Sequence, residues 1–343
     1  MHPEPVSREL ERITVVSPVY NEVEGISGFV DRAVAVLETY PDWELILVDD
    51  GSKDGTRQVL RELSKRDPRI RVVGLARNFG QPIATSAGLA HSSGELTVMI
   101  DSDLQDPPEV IHEMVEAWRN GSEVVLAIRR ERAGETAFKL ITARMFYRGF
   151  SRLTGVHLQE NAGDFRALGR PALDTFLDMP ERGRFLRGMT TWIGFKQAEV
   201  YYDRDARTLG KTSYSKRKLM RLAFDAIASF SHVPLKAATA LGFLISITTF
   251  VAAGFFFVQR LFGSFIPGLS TTNILILMLG GIQLIFLGIL GEYLAKIYDE
   301  VKQRPLFVIE ERMNFDATEA APTIATPQAQ ARAGSLRQLT PGG

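Results

Sequence analysis

Apolar and polar positions alternate between two periods along the first 130 residues. Residues 13–17 form a short β-branched run that ends at Pro18. Residues 26–40 follow with helical spacing, placing Ile26, Phe29, Val30, Ala33, Val34 and Leu37 on one face. Leu45-Ile46-Leu47-Val48 is a continuous apolar run, the mark of a strand covered on both faces. The alternation continues with a helix over 54–65, a strand over 70–75, a helix over 82–91 and a strand over 96–100. A helix over 108–120, with two prolines at its start, and a strand over 124–127 complete it. Strands alternating with short helices predict a mostly parallel, Rossmann-like α/β sheet over about residues 13–230.

Later the pattern changes. Residues 138–153 and 214–230 are amphipathic and basic, and next to membrane spans such helices lie in the interface. Residues 237–258 carry no charge and would reach about 33 Å as a helix, enough for a hydrocarbon core of roughly 30 Å. A second uncharged stretch predicts a span over about 273–294, so that 235–298 forms a two-helix transmembrane hairpin. Lys and Arg cluster before the first span and after the second, while the connection has only Arg260. This bias puts both ends, and the α/β domain, on the cytoplasmic side. Residues 1–12 are a polar extension without the apolar core of a secretory signal. Residues 299–315 read as a cytoplasmic segment and 316–343 as a disordered tail rich in Ala, Thr, Pro and Gln.

Formal net charge is zero, and no nucleic-acid partner is expected. There is no cysteine, which excludes disulfides, thiolate metal sites and a thiol nucleophile. The five histidines are scattered without ligand spacing, and neither a Gly-x-Gly-x-x-Gly turn nor a Walker loop follows the first strand.

In open parallel sheets ligands bind beyond the carboxyl ends of the strands. Three polar clusters stand there: Pro18-Val19-Tyr20-Asn21-Glu22, Asp49-Asp50-Gly51-Ser52 and Asp101-Ser102-Asp103-Leu104-Gln105. Asp49 and Asp50 alone would read equally well as a cap or turn. Asp101 and Asp103, two residues apart on a loop, can converge on one hard cation, Mg²⁺ or Mn²⁺, with Gln105 adding a carbonyl oxygen.

Taken together, these runs resemble the family 2 glycosyltransferases of GT-A fold. With the two spans, residues 13 to about 310 resemble the polyisoprenyl-phosphate glycosyltransferases, such as dolichol-phosphate mannose synthases and bacterial undecaprenyl-phosphate glucosyltransferases. Further matching runs are Arg77-Asn78-Phe79-Gly80, Asn161-Ala162-Gly163-Asp164-Phe165-Arg166 and Phe185-Leu186-Arg187-Gly188. The resemblance implies single-hexose transfer, with UDP-glucose favoured, from a nucleotide-sugar to polyprenyl phosphate at a bacterial inner membrane, with inversion. It implies donor binding by Pro18, Tyr20, Glu22, Asp49, Asp50, Asp101 and Lys211, and metal binding by Asp101, Asp103 and Gln105. Asp103, Asp164 and Arg207 are the implied catalytic residues, and Arg129, Arg144 and Arg204 the acceptor-phosphate group. Which of Arg204, Arg207 and Lys211 meets phosphate stays open, because residue 213 is serine where the family often has lysine. Asp164 holds the family's base-like position, and positioning an acceptor or cation, base catalysis and a plain ion-pair role are all open to it. A homo-oligomer, a tetramer by resemblance, is also implied. The rival readings are a processive polysaccharide synthase, whose Gln-x-x-Arg-Trp motif is absent, and a membrane scaffold that binds nucleotide-sugar without catalysis.

Overall fold

The computed structural model describes residues 8–130, 151, 159, 162–203, 233–261 and 269–316. The chain divides into two compact units, residues 1–213 with 304–343, and residues 214–303.

In the first unit, β1 (Arg12–Val19), β2 (Asp42–Asp49), β3 (Ile70–Leu75) and β4 (Leu96–Met99) pair in parallel. Their helices are α1 (Ile26–Leu37), α2 (Thr56–Arg66) and α3 (Gln81–Ala90). A 3-10 turn at Pro108–Val110 leads into α4 (Ile111–Arg119), which precedes β5 (Val124–Arg129). The apolar runs form strands because both faces are covered: Leu45, Ile46, Leu47 and Val48 are all fully buried. α1 packs as its spacing predicts, except that Val36 is buried and Val34 only partly so.

Three strands are absent from the sequence reading. β6 (Ala162–Gly169) runs antiparallel between β4 and β5. After α5 (Arg170–Asp178) and α6 (Leu186–Trp192), β7 (Gln197–Tyr202) adds in parallel to β5. β8 (Ile309–Met313) closes the far edge antiparallel to β3. The strand order is β7-β5-β6-β4-β1-β2-β3-β8, a mixed and mostly parallel sheet.

The second unit holds two long helices, α7 (Val233–Leu261, 29 residues) and α8 (Leu269–Val301, 33 residues). They meet where Gly242 lies against the Phe286 ring. Both expose large apolar side chains, among them Phe243, Phe250, Leu284 and Leu287. Among the described residues one stretch, Met278–Val301, is long and apolar enough to cross a membrane. It starts and ends later than the expected 273–294. A second crossing at 237–258 is therefore a proposal. The expected interfacial helices over 138–153 and 214–230 lie outside the described residues, apart from Ser151, as does the tail from 317 onward.

Candidate active site

β1, β2 and β4 are neighbours and run the same way, so the residues after Val19, Asp49 and Met99 emerge along one edge of the sheet. β6 runs against β4 with Met99 opposite Arg166. Continued by two residues, this register sets Asp101 opposite Asp164. β5 ends at the same edge with Arg129 opposite Tyr202. Topology thus gathers carboxylates and guanidinium groups from four strands.

The β2 end is tightly bonded. Asp49, fully buried, accepts the Ser52 N–H at 3.0 Å and Arg57 Nε at 2.5 Å. Asp50 accepts the N–H groups of Phe79 and Gly80 at 2.7 and 2.9 Å, pinning the Arg77-Asn78-Phe79-Gly80 loop. Burial raises its pKa, and the two backbone donors oppose the rise without cancelling it. The β1 end is tied to this turn. Asn21, at φ 54°, accepts the Lys53 N–H at 2.9 Å, and the Glu22 N–H donates to Thr56 Oγ1 at 2.9 Å. Tyr20 stands exposed beside it and Pro18 is partly buried, its carbonyl accepting Ser102 Oγ at 3.1 Å.

The β4 end carries excess negative charge. Asp101 accepts Gln81 Nε2 at 2.6 Å. Burial, then the nearby carboxylates of Asp164, Asp106 and Asp103, push its pKa up to about 7 against the pull of Arg129. Asp103 accepts the backbone N–H of Gln105 at 3.1 Å and its side-chain Nε2 at 2.8 Å. That fold-back requires Leu104 to sit at φ 57°, a left-handed conformation costing a non-glycine residue roughly 1–2 kcal/mol. Gln105 is buried, and its visible contact orients Asp103.

The basic side of the site is built on β5, β6 and α6. Arg129 donates to Tyr202 Oη at 3.1 Å and lies 3.4 Å from Asp106, which also accepts Tyr202 Oη at 2.6 Å. Arg129 crosses Gly163 so closely that a Cβ there would lie 2.8 Å from Nη2, so a side chain at 163 would push the guanidinium aside. Asp164 accepts Arg187 Nε at 2.8 Å and Nη2 at 3.3 Å. Burial alone would raise its pKa, but Arg187, with Arg166 and Arg129, outweighs burial and holds it below the ordinary value. Arg166 is fully buried, bonded to Thr190 and to the Gly163 carbonyl at 2.7 Å. Burial lowers its pKa to about 10, which leaves it cationic at neutral pH.

The family model for Glycosyl transferase family 2 matches residues 14–177. An uncharacterized glycosyltransferase of Synechocystis is 42% identical over 301 residues, covering 87% of this chain and 95% of that one. Another, of Bacillus subtilis, is 43% identical over 313 residues, 91% of this chain and 97% of its own. The chain belongs to the family 2 glycosyltransferases. A bactoprenol glucosyl transferase of Shigella phage SfII is 37% identical over 302 residues, 88% of this chain and 98% of its own. The sheet of this glycosyltransferase, with acidic loops at the ends of β2 and β4, is the GT-A arrangement.

The residues suit a divalent cation. Asp101 and Asp103 offer hard oxygen donors, and the crowding of Asp101 by other carboxylates is the charge excess a dication relieves. Among the described residues no three His, Asp or Glu side chains form a complete metal site by themselves. Mg²⁺ commonly draws the rest of its shell from substrate phosphates and water.

The structure therefore brings Pro18, Tyr20, Glu22, Asp49, Asp50, Asp101, Asp103, Gln105, Arg129 and Asp164 to one edge. Arg144, Arg204, Arg207 and Lys211 lie outside the described residues. The sequence pattern assigns no role to Arg187, Arg166, Asp106 or Tyr202. Arg187 stood within the recognisable Phe185-Leu186-Arg187-Gly188 run, whereas Tyr202 carried no local signal.

Proposed function

We propose that this glycosyltransferase moves one hexose from UDP-glucose to a polyprenyl phosphate at the cytoplasmic face of a bacterial inner membrane, inverting the anomeric carbon. The observation that carries the reading is the division of one sheet edge into an acidic side, Asp101 and Asp103, and a basic side, Arg129 and Arg187. A donor diphosphate with its cation suits the first, and an acceptor phosphate suits the second. The likeness to a bactoprenol glucosyl transferase supports both the lipid acceptor and the sugar. The exposed apolar surface of α7 and α8 supports a membrane location, with both helices as spans.

On this reading Pro18, Tyr20, Glu22, Asp49, Asp50 and Asp101 shape the donor site, with Lys211 or Arg207 at the diphosphate. Arg129, Arg144 and Arg204 hold the acceptor phosphate. Asp101 and Asp103 hold Mg²⁺ or Mn²⁺, with Gln105 orienting Asp103 or adding its own oxygen. The bound cation would stabilise the charge on the departing diphosphate. An acceptor phosphate oxygen attacks the anomeric carbon while the bond to the donor's diphosphate oxygen breaks. UDP leaves with that electron pair. A phosphomonoester has its second pKa near 6, so the nucleophile is already largely dianionic and needs no base. The ion pair of Asp164 with Arg187 agrees with this: a carboxylate held below its usual pKa is a poor base, and Asp164 instead orients Arg187. Homo-oligomerisation belongs to the same proposal.

The test is a donor screen in detergent with undecaprenyl phosphate, following lipid-linked sugar and released nucleotide. One hexose per lipid from UDP-glucose is expected. Elongating chains would favour the processive reading, and no product from any nucleotide-sugar would favour the scaffold. Single cysteines add a topology test on a cysteine-free background. An impermeant reagent should label only near 264–272 from outside, and labelling near Lys302 would refute the two-span arrangement.

A further inference from the structure

The segment after α8 does more than trail from the helix. β8 returns to the sheet edge with the pattern Ile309-Glu310-Glu311-Arg312-Met313. Met313 packs against the core, and the Val308 carbonyl accepts the Ala76 N–H at 2.9 Å. Asn314 anchors the end of the strand by donating to the carbonyls of Ser64 and Ile70 at 2.7 and 2.8 Å.

The two glutamates converge on one arginine of α2. Arg57 donates Nε to Asp49 at 2.5 Å, Nη2 to the Leu75 carbonyl at 2.6 Å and Nη1 to Glu310. Glu311 lies 3.6 Å from the same guanidinium and accepts Arg61 Nη2 at 2.9 Å. A Cβ on Gly74 would stand 2.9 Å from Glu311 Cγ, so a side chain there would have to displace Glu311. The strand pairing shifts register at that point. Asp49 is wholly removed from water, and a buried carboxylate persists as an ion only with a paired cation and satisfied oxygens. Arg57 is that cation. The second Asp49 oxygen takes the Ser52 N–H, and Ser52 Oγ accepts the Asn21 N–H at 3.0 Å. One chain of contacts thus leads from the last strand to the two loops of the donor side.

We propose that Arg57 is a positioning residue for the nucleotide-sugar, acting through Asp49, and that Glu310 and Glu311 of β8 hold it in place. The inference rests on the placement of the donor at the β1 and β2 ends proposed above. A strand synthesised after both long helices then completes the donor site, although the acidic and basic groups of that site lie far upstream.

The experiment uses the full-length protein in detergent, measuring UDP affinity, both Michaelis constants, turnover and melting temperature. Arg57→Gln should weaken UDP binding and raise the donor KM by roughly tenfold or more, since a charged hydrogen bond is worth about 1.5–3 kcal/mol. Turnover and the acceptor KM should stay within about twofold if only donor binding is disturbed. Glu310→Gln combined with Glu311→Gln keeps the Asp49–Arg57 contact and should give a smaller shift of the same kind, while Arg57→Lys should recover part of the affinity. Asn314→Ala loosens the end of the strand while leaving both glutamates in place, and should lower the melting temperature with a donor KM shift smaller than that of the double-glutamate variant. Wild-type protein that binds UDP while the Arg57 and double-glutamate variants bind it equally well would overturn the inference and leave a plain structural brace. Wild-type protein that fails to bind UDP would overturn the donor placement itself. If Arg57→Gln does not fold, the double-glutamate variant decides alone.

Discussion

The ends of β2 and β4 look alike as sequence, each an apolar strand running into aspartates, yet they are electrostatic opposites. At β2, each carboxylate oxygen of Asp49 and Asp50 has a donor: Ser52, Arg57, Phe79 and Gly80. Those four oxygens shape two loops. At β4, Asp101 meets Asp164, Asp106 and Asp103, and its pKa climbs to about 7. Negative charge is spent on architecture at one end and held in excess at the other. A pair of aspartates after a strand therefore does not by itself say which of its members meets a ligand.

The largest effect should come from the charged end. Asp103→Ala should lower turnover by about a hundredfold to a thousandfold, the usual loss when one electrostatic contributor to a transition state is removed. The fold should stay intact with only a modest fall in melting temperature as Gln105 loses its acceptor, and excess chelator should abolish wild-type activity. Full activity in either case would end the distinction between the two clusters.

Asp49→Ala should fail differently. Removing Asp49 deletes a charged hydrogen bond and strands the Ser52 N–H, a loss of about 1.5–3 kcal/mol, while Arg57 keeps Glu310 and the Leu75 carbonyl. Thermal or urea unfolding reads this directly, and chelator should not alter the loss. An Asp49 variant of normal stability would show that the pair is dispensable scaffolding.

Tyr202→Phe sharpens the comparison on the basic side. It removes the hydroxyl that donates to buried Asp106 at 2.6 Å and accepts from Arg129. A loss of about 1–3 kcal/mol is expected in unfolding. The acceptor KM should also move, since Arg129 loses an orienting partner.

The smallest effect is a pH dependence of metal-free protein. Asp101 binds its proton more tightly folded than unfolded, with a pKa of about 7 against an ordinary 3.8. The native state therefore holds more protons between those values, and stability falls as pH rises from about 4 through 7. Asp101→Asn cannot ionise, so in chelator it should become the more stable protein above pH 7. The gain should be on the order of 1 kcal/mol because the group is partly open to solvent. Equal melting curves at pH 5 and pH 8 for both proteins would show that the crowding of Asp101 is relieved without a cation.

Much of this was legible in the chain alone. Each parallel strand from β1 to β5, and each helix from α1 to α4, announces itself, because a strand covered on both faces is continuously apolar and a helix covered on one face repeats every 3.6 residues. The aspartate loops could be placed at strand ends for the same reason. β6 could not. Ala162-Gly163-Asp164-Phe165-Arg166 mixes small, charged and aromatic residues, and it is a strand because β4 and β5 flank it. β8 is charged at Glu310, Glu311 and Arg312 and becomes a strand only by pairing with β3. The partnerships that give the site its character, Asp164 with Arg187 and Arg57 with Glu310, join residues 23 and 253 positions apart. Periodicity along a chain records how each element is buried, so it determined the alternating sheet and the apolar helices. Which carboxylates are neutralised depends on side chains that arrive from distant elements, and only the tertiary structure decided that.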